Sequence, residues 1–187
     1  IEKATAAFEA YEYARALDLT ESFFWDFTDD YVELIKDRAY GGRSEAETAS
    51  VRATLATTLD ALLRLLAPFQ PFATEEVWSW WRAGSVHRAA WPKAEEIRAG
   101  LADADAEILP SVGQALIGLR KAKSDAKVKQ RTRVLSGTIT GPDAIIERVR
   151  AALEDLSAAT AADSLELVVG GTELVVSDVE LEQAEEA

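Results

Sequence analysis

Two nearby prolines, Pro68 and Pro71, interrupt the longest helical pattern in the chain. Each lacks an amide hydrogen and restricts the residue before it, so one helix cannot run straight through this point. Ahead of them, apolar side chains recur at steps of three and four, as one buried helical face requires: Val51, Leu55, Leu59, Leu62, Leu63 and Leu66. A shorter helical pattern near 73–81 follows the prolines and ends before Gly84. The chain is therefore expected to fold back here, with the two helices as antiparallel neighbours.

Two more helices are predicted ahead of this pair. The first covers roughly Glu2–Leu17. The second is expected to start at Asp18, which precedes Glu21 by the spacing of a capping box, and to stop at Gly41. Its apolar positions are predicted to form one buried face: Phe23, Phe24, Phe27, Tyr31, Leu34 and Ile35. Residues 1–92 are thus predicted to form an antiparallel helical bundle.

The composition and the residue pattern of the chain change after residue 92. Alanine and charge dominate 93–106, which we interpret as a linker or the lead-in to a helix. A small α+β subdomain is predicted over 107–178, and an acidic, frayed tail over 179–187. The predicted elements of the subdomain are a helix over 107–123, a strand over 133–140, a helix from Asp143, and a hairpin of Leu165–Val169 with Glu173–Val176 around a glycine pair. The predicted fold class is therefore mainly α, with a small α+β part.

The composition excludes most kinds of catalytic centre. The chain has no cysteine and a single histidine, His87, so disulfides, thiolate metal sites and imidazole-rich sites are excluded. No apolar run approaches the ~20 residues that span a bilayer. The lack of methionine, even at position 1, is best explained if the chain is a piece of a longer protein. We predict no catalytic residue, metal or cofactor within it.

Four acidic residues close together need a separate interpretation: Asp26, Asp29, Asp30 and Glu33. They could be paired carboxylates for acid–base catalysis. A solvated helix face is favoured, because four like charges without a histidine or a glycine-rich loop do not make an active site. Such carboxylates could still accept hydrogen bonds from the amino groups of bases.

One segment is basic in a chain that is otherwise acidic. The formal net charge of −13 disfavours nucleic-acid binding, because phosphate neutralisation supplies most nonspecific affinity. The distribution matters more than the sum. What we call the basic segment holds seven bases: Arg120, Lys121, Lys123, Lys127, Lys129, Arg131 and Arg133. We favour phosphate contacts here over an inert solvated face; such contacts position an RNA without reading its sequence.

Trp25 fits the apolar stripe of its helix least well. It lies off the period of the neighbouring phenylalanines and near Asp29 and Lys36 at helical spacing. An aromatic ring on a polar face can stack an unpaired base, a contact worth about 1–3 kcal/mol. Packing against a neighbouring helix is an equal alternative, and the sequence leaves both open.

Five segments, in order, carry a family resemblance: Phe27–Glu33, Lys36–Tyr40, Leu66–Trp78, Ser85–Pro92 and Gly118–Lys129. Their arrangement resembles the anticodon-binding region of class I aminoacyl-tRNA synthetases, and most of all that of valyl-tRNA synthetases. The two motifs with which this family activates its amino acid, one His-Ile-Gly-His-like and one Lys-Met-Ser-Lys-Ser-like, are absent from the chain. The resemblance thus implies the RNA-binding part of a ligase whose chemistry, with ATP and magnesium, lies elsewhere.

The resemblance also implies a partner and a set of contacts. The partner is valine tRNA, docked by its anticodon stem-loop for the catalytic and editing domains of the same polypeptide, in the cytoplasm, with no membrane or DNA. Valine codons imply an anticodon ending in adenine and then cytosine, and sequence-specific recognition targets such unstacked loop bases. The candidate base-contact residues are Trp25, Asp29, Lys36, Arg38 and Arg43. The basic segment would hold phosphates.

Two alternatives stay open. Isoleucyl- and leucyl-tRNA synthetases share the Pro-Phe-x-Pro-Phe joint, although the fuller match at Phe27–Tyr40 and Ser85–Pro92 favours the valyl family. A helical protein-interaction bundle without RNA binding is the alternative from another class. Salt-sensitive tRNA binding would separate it from an RNA-binding module.

Overall fold

A computed structural model describes residues 1–99 and 104–183, which divide between two compact units. The first unit combines Ile1–Thr28 with Glu45–Ala104, and the second combines Asp29–Ser44 with the described residues from Asp105 onward. Neither unit is continuous in sequence. The predicted domain boundaries (1–92, 93–106, 107–178 and 179–187) stay a prediction, and residues 100–103 of the predicted linker lie outside the described residues.

The described residues are mainly helical, with one small sheet, as the sequence predicted. In chain order the elements are α1 (Glu2–Glu9), α2 (Tyr13–Asp26), a π-helical turn (Phe27–Tyr31), α3 (Val32–Ala39), α4 (Glu45–Leu66), α5 (Pro71–Ser79), a 3₁₀ turn (Val86–Arg88), α6 (Ala94–Arg98), α7 (Ile108–Asp125), β1 (Val134–Gly141), α8 (Asp143–Ala151), α9 (Leu153–Thr160), β2 (Leu165–Val169) and β3 (Val175–Leu181). Within that described part, no helix is both long and apolar enough to cross a membrane.

The proline joint forms as predicted in the first unit. Helix α4 ends at Leu66, whose carbonyl accepts hydrogen bonds from the amides of Phe69 (2.9 Å) and Gln70 (2.8 Å). Helix α5 then begins at Pro71, where a missing amide hydrogen costs nothing because the first turn has no partner for it. The buried residues Leu63 and Ala67, before this joint, pack together with Trp78 and Val86, after it.

The first break in the helices comes earlier than predicted. Helix α2 runs without interruption through Asp18, so the capping-box prediction there is wrong. The break lies at Tyr11, which has a left-handed φ of +62°. The Tyr11 amide donates to the Phe8 carbonyl (3.1 Å) and the Glu12 amide to the Ala7 carbonyl (2.9 Å). This pair of bonds is a Schellman motif, which ends α1.

The aromatic stripe predicted as core is only partly buried. Phe23 is 51% exposed, whereas Leu34 and Ile35 are buried; Phe27 and Tyr31 are intermediate. The π-helical turn explains the difference, because its extra residue per turn shifts the phase of the stripe. Among the stripe residues, Leu34 belongs to the core of the second unit.

The sheet of the second unit corrects the predicted hairpin. The strand order is β2-β1-β3, with β1 parallel to β2 and antiparallel to β3. Residues 170–174 cross the end of β1, where the Gly170 amide donates to the Gly141 carbonyl (2.8 Å). A Cβ on Gly141 would lie 3.4 Å from the Leu174 Cα. The glycine pair therefore makes the predicted bend, but a strand from earlier in the chain lies between the two arms.

Strand β3 also extends into the predicted acidic tail. It continues to Leu181, so the predicted fraying does not hold for Glu180 and Leu181; residues 184–187 of the tail lie outside the described residues. Behind the sheet, α7 contributes the buried side chains Val112, Leu116 and Leu119 to the core. The end of α7 is where the basic segment begins.

Candidate nucleic-acid interface

The basic segment turns sharply where α7 ends. Lys127 has a left-handed φ of +55°. Its amide donates to the Ser124 carbonyl (2.9 Å), and the Val128 amide donates to the Lys123 carbonyl (3.1 Å). This is the same Schellman motif that ends α1. It sends the loop that leads to β1 back towards the helix.

Gln130 then fastens the loop to α7. Its side-chain amide donates to the Arg120 carbonyl (3.3 Å) and to the Ser124 hydroxyl (3.1 Å). Its own backbone carbonyl accepts a hydrogen bond from the Lys123 ammonium (2.9 Å). The loop is therefore held against the last turn of the helix from both sides.

Lys123 points inward, unlike the rest of the basic segment. It is 1% exposed, and its ammonium also donates to the Thr160 carbonyl (2.6 Å). Burial lowers the pKa of this ammonium, because the charged form loses its hydration. The sequence held a signal for this placement: Lys123 follows Leu116 and Leu119 at helical spacing, on the apolar stripe of α7.

The remaining bases of the segment reach the surface. Four of them are exposed: Lys121, Lys127, Lys129 and Arg131. Arg133 is exposed as well, and its Nε donates to the Asp163 carboxylate (2.8 Å). Several exposed cationic side chains within one segment are the arrangement that suits contacts to the phosphates of a nucleic acid.

Arg120 is partly buried and faces three acidic residues near the start of α3. Its guanidinium donates to the backbone carbonyl of Asp29 (3.2 Å). The carboxylates of Asp30 and Glu33 lie 4.0 and 3.9 Å away. The structure therefore brings the candidate base-contact residue Asp29 next to the basic segment, through its backbone, while the Asp29 side chain stays exposed.

Two other candidates, Arg38 and Arg43, are drawn together by Asp155 on α9. Asp155 Oδ2 lies 2.7 Å from Arg38 Nη2, and its Oδ1 lies 3.8 Å from Arg43 Nη2. Arg43 also pairs with Asp37 (3.1 Å) and with Glu154. Burial raises the pKa of Asp155, and the two guanidinium groups oppose that rise. Asp155 gives no local signal in the sequence, since its partners lie more than a hundred positions earlier.

Lys36 is the most accessible charged candidate on α3. Its side chain is 51% exposed and its ammonium pairs with Glu33, one turn earlier on the same helix. Exposed pairs of this kind contribute little to stability, so the ammonium can exchange partners at small cost.

Trp25 lies on α2 in the first unit and is 58% exposed. Its ring meets that of Phe24 edge to face, with centroids 5.1 Å apart. More than half of this residue is therefore accessible to solvent. Sequence reasoning did not single out several further exposed aromatics, among them Tyr11 (79%), Tyr40 (86%), Phe72 (90%) and Trp80 (71%).

The single imidazole has a structural environment in the first unit. His87 Nε2 lies 3.1 Å from the Pro71 carbonyl oxygen and 4.0 Å from the Glu75 carboxylate. Glu75 in turn accepts hydrogen bonds from the Ser85 hydroxyl (2.9 Å) and the Val86 amide (3.0 Å). These contacts tie the segment after Gly84 back to α5. Over the described ranges, no group of three or more histidine and acidic side chains is placed to hold a metal ion.

Comparison with known proteins finds relatives over most of the chain. The family described as the anticodon-binding domain of tRNA ligase matches residues 1–139. The chain is 48% identical over 186 residues to a valine–tRNA ligase of Leifsonia xyli subsp. xyli, covering 100% of this chain and 21% of that protein. It is 46% identical to the valine–tRNA ligases of Cutibacterium acnes (94% of this chain, 20% of the relative) and Thermobifida fusca (99% and 21%). The chain thus spans about a fifth of the length of these relatives.

Proposed function

We propose, since this chain belongs to the family of anticodon-binding domains of tRNA ligases, that it binds the anticodon stem-loop of valine tRNA and positions that tRNA for aminoacylation. The observation that carries the choice of valine is the 48% identity, over the whole chain, to a valine–tRNA ligase. This similarity favours valine over isoleucine or leucine as the cognate amino acid. It also favours RNA binding over a protein-interaction bundle.

The chemistry of the proposed ligase lies in other parts of the polypeptide. Relatives of this chain are about five times as long, which leaves room for catalytic and editing domains. We infer a cytoplasmic valine–tRNA ligase that uses ATP and magnesium. This chain contributes RNA binding to it and no catalytic residue.

Trp25 is the proposed stacking platform for one anticodon base. Its ring is more than half exposed, and stacking on an aromatic ring is worth about 1–3 kcal/mol per base. Stacking tolerates any base, so Trp25 supplies affinity and not the choice of adenine and cytosine.

The polar candidates are proposed to supply that choice. The Asp29 carboxylate can accept from the amino group of adenine or cytosine, whereas the Lys36 ammonium can donate to ring nitrogens or carbonyl oxygens. Arg38 and Arg43 each carry five donors, of which Asp155 and its neighbours occupy only part. Their remaining donors are held in a fixed orientation, which suits recognition of a base edge.

Six bases of the basic segment are proposed to contact backbone phosphates: the partly buried Arg120 and the exposed Lys121, Lys127, Lys129, Arg131 and Arg133. Lys123 is left out of this contact set because its ammonium is buried and bonded to two carbonyls. Such contacts position the stem-loop and make its binding depend on salt.

A titration of the chain with a fluorescently labelled valine-tRNA anticodon stem-loop tests the proposal. A matched stem-loop with the adenine–cytosine pair replaced serves as the control, and both are measured at two salt concentrations. We expect salt-sensitive binding that prefers the native loop.

Each other outcome has a definite meaning. Equal affinity for the two loops would reject anticodon recognition by this chain and leave phosphate docking alone. Binding to neither loop, at either salt concentration, would reject RNA binding by the isolated chain. Tighter binding of the anticodon loop of isoleucine tRNA or leucine tRNA would mean that this amino acid, and not valine, is the cognate one.

A further inference from the structure

A polar cleft of about 230 Å³ opens beside α7 in the second unit. Its charged lining consists of Arg120, Lys123 and Arg131, with Glu33 as the single acid among the described lining residues. Glu33 is itself paired with Lys36. The cleft therefore has an excess of positive charge, although the chain as a whole is strongly acidic.

The loop after α7 builds this cleft. The Schellman turn at Lys127 reverses the chain, and Gln130 fastens the loop to the Arg120 carbonyl (3.3 Å). Arg131 follows directly and reaches the same cleft as Arg120. Two guanidinium groups from the helix and from the loop after it thus line one cleft, whose loop is held by a defined backbone structure.

The buried residue Lys123 contributes a positive charge to the lining of the cleft. An ammonium has three donors, and two of them go to the carbonyls of Gln130 and Thr160. Across residues 1–99 and 104–183, no carboxylate forms an ion pair with it. A buried charge without a counterion is costly, so an anion in the cleft would be stabilised by it.

The two arginines remain available for such an anion. The ion pairs of Arg120 are long, at 4.0 and 3.9 Å. Arg131 is exposed and has no ion pair with any described residue. The planar fork of a guanidinium suits two oxygens of one phosphate group.

We propose that this cleft is a specific binding site for one phosphate group, held by the guanidinium groups of Arg120 and Arg131, with the buried Lys123 also lining the cleft. The inference rests on the proposed function and deepens it, because the natural ligand is then one phosphodiester of the bound RNA. It divides the basic segment into a built site and a surrounding set of exposed lysines that act only through their charge.

The test compares Arg131→Gln with Lys129→Gln in the full chain. The two substitutions remove the same charge from the same loop, but only Arg131 lines the cleft. Binding of a labelled single-stranded oligouridine is measured at fixed salt. Arg131→Gln is expected to weaken it about tenfold, the effect of one charge-assisted contact in the cleft, and Lys129→Gln only about two- to threefold, the effect of one solvent-exposed phosphate contact outside the cleft.

A second arm separates the two sources of phosphate. Inorganic phosphate is added at constant ionic strength, and backbone amide signals are followed by NMR. The signals of Gln130 and Thr160 are expected to shift in the wild type and in Lys129→Gln, and to stay in place in Arg131→Gln. Shifts with inorganic phosphate but equal oligouridine affinity in both variants would assign the cleft to free phosphate and overturn the proposal.

Equal losses from the two variants in both arms would also overturn it, because the basic segment would then act only as a diffuse field. Oligouridine contains no valine anticodon, so this result is independent of base recognition. If the cleft binds but the native and altered stem-loops bind equally, the proposed function fails while the phosphate site stands. If the native loop is preferred but Arg131→Gln and Lys129→Gln bind with equal affinity, the phosphate site fails while the proposed function stands.

Discussion

The ammonium of Lys123 is buried inside the second unit, and its burial determines the direction in which the free energy of unfolding changes with pH. Burial lowers its pKa from the ordinary value of 10.5. Between the folded and unfolded pKa values, the unfolded chain binds more protons than the folded one, so the free energy of unfolding rises with pH. The rise begins as the pH passes the folded pKa and ends near 10.5.

Replacing this residue should remove that effect. We expect the free energy of unfolding of the wild type, relative to Lys123→Met, to increase as the pH is raised from neutral towards 10.5. Urea unfolding at several pH values measures it. Lys129→Met, which removes an exposed ammonium, is the control and should follow the wild type. Parallel curves for wild type and Lys123→Met would contradict the prediction.

Gly118 gives a second prediction for a single residue. A Cβ at this position would lie 2.5 Å from Cγ2 of Val176 on β3. Because a β-branched side chain has little rotamer freedom, Gly118→Ala should destabilise the fold by about 1–3 kcal/mol. Adding Val176→Ala should recover part of this loss, and chemical denaturation of the single and double variants measures the coupling. Full additivity of the two substitutions would contradict the contact.

Four helices end in the same backbone capping motif. A left-handed residue follows α1, α3, α7 and α9, at Tyr11, Gly41, Lys127 and Ala161 respectively. After each, the same pair of backbone bonds closes the helix; after α9, Ala161 donates to Ala158 and Ala162 to Ser157. Only α3 uses glycine there, although a residue with a Cβ is destabilised by roughly 1–2 kcal/mol in this conformation.

Exchanging glycine and alanine between two of these helix ends should therefore have opposite effects. Ala161→Gly is expected to stabilise the second unit by about 1 kcal/mol, and Gly41→Ala to destabilise it by a similar amount. Both positions end helices of the same unit, so each serves as the control for the other. Thermal unfolding measures both, and a loss of stability in Ala161→Gly would contradict the argument.

These helix ends also show what the sequence could predict and why the rest escaped. Glycine marked the end at Gly41, but nothing local distinguishes Tyr11 or Ala161. Likewise the glycine pair after β2 predicted a bend, while the pairing of its two arms depended on β1, an element from earlier in the chain. Mainly helical architecture and family membership were predicted correctly, because they depend on periodic patterns and ordered motifs.

In the candidate site, too, some features could be predicted from the sequence and others could not. The charge cluster of the basic segment was visible in the sequence, and Lys123 could have been separated from it by the apolar stripe of α7. The pairing of Arg38 and Arg43 with Asp155 could not. It depends on which distant helix packs against α3, and no local pattern carries that information.

The whole molecule combines a net charge of −13 with one basic segment, so its RNA affinity should depend on a few residues. Reversing Lys127, Lys129 and Arg131 to glutamate is expected to abolish most stem-loop binding. It should also reduce the magnitude of the negative slope of log K against log salt by about 0.7 for each single-strand phosphate that the variant no longer neutralises. Titrations at several salt concentrations measure both quantities. Arg150→Glu, a reversal on α8 in the same unit, should change little, and unchanged affinity in the triple variant would reject the role of the basic segment.

The interleaving of the two units has a consequence for synthesis on the ribosome. Arg43 and Glu154, which pair in the finished protein, are 111 residues apart. At 5–20 residues per second, a nascent chain carries α3 for roughly 5–20 s before α9 has been made. Throughout this interval Leu34 lacks the core that later buries it. During this interval, chaperones and proteases can therefore meet an apolar side chain that the finished protein buries.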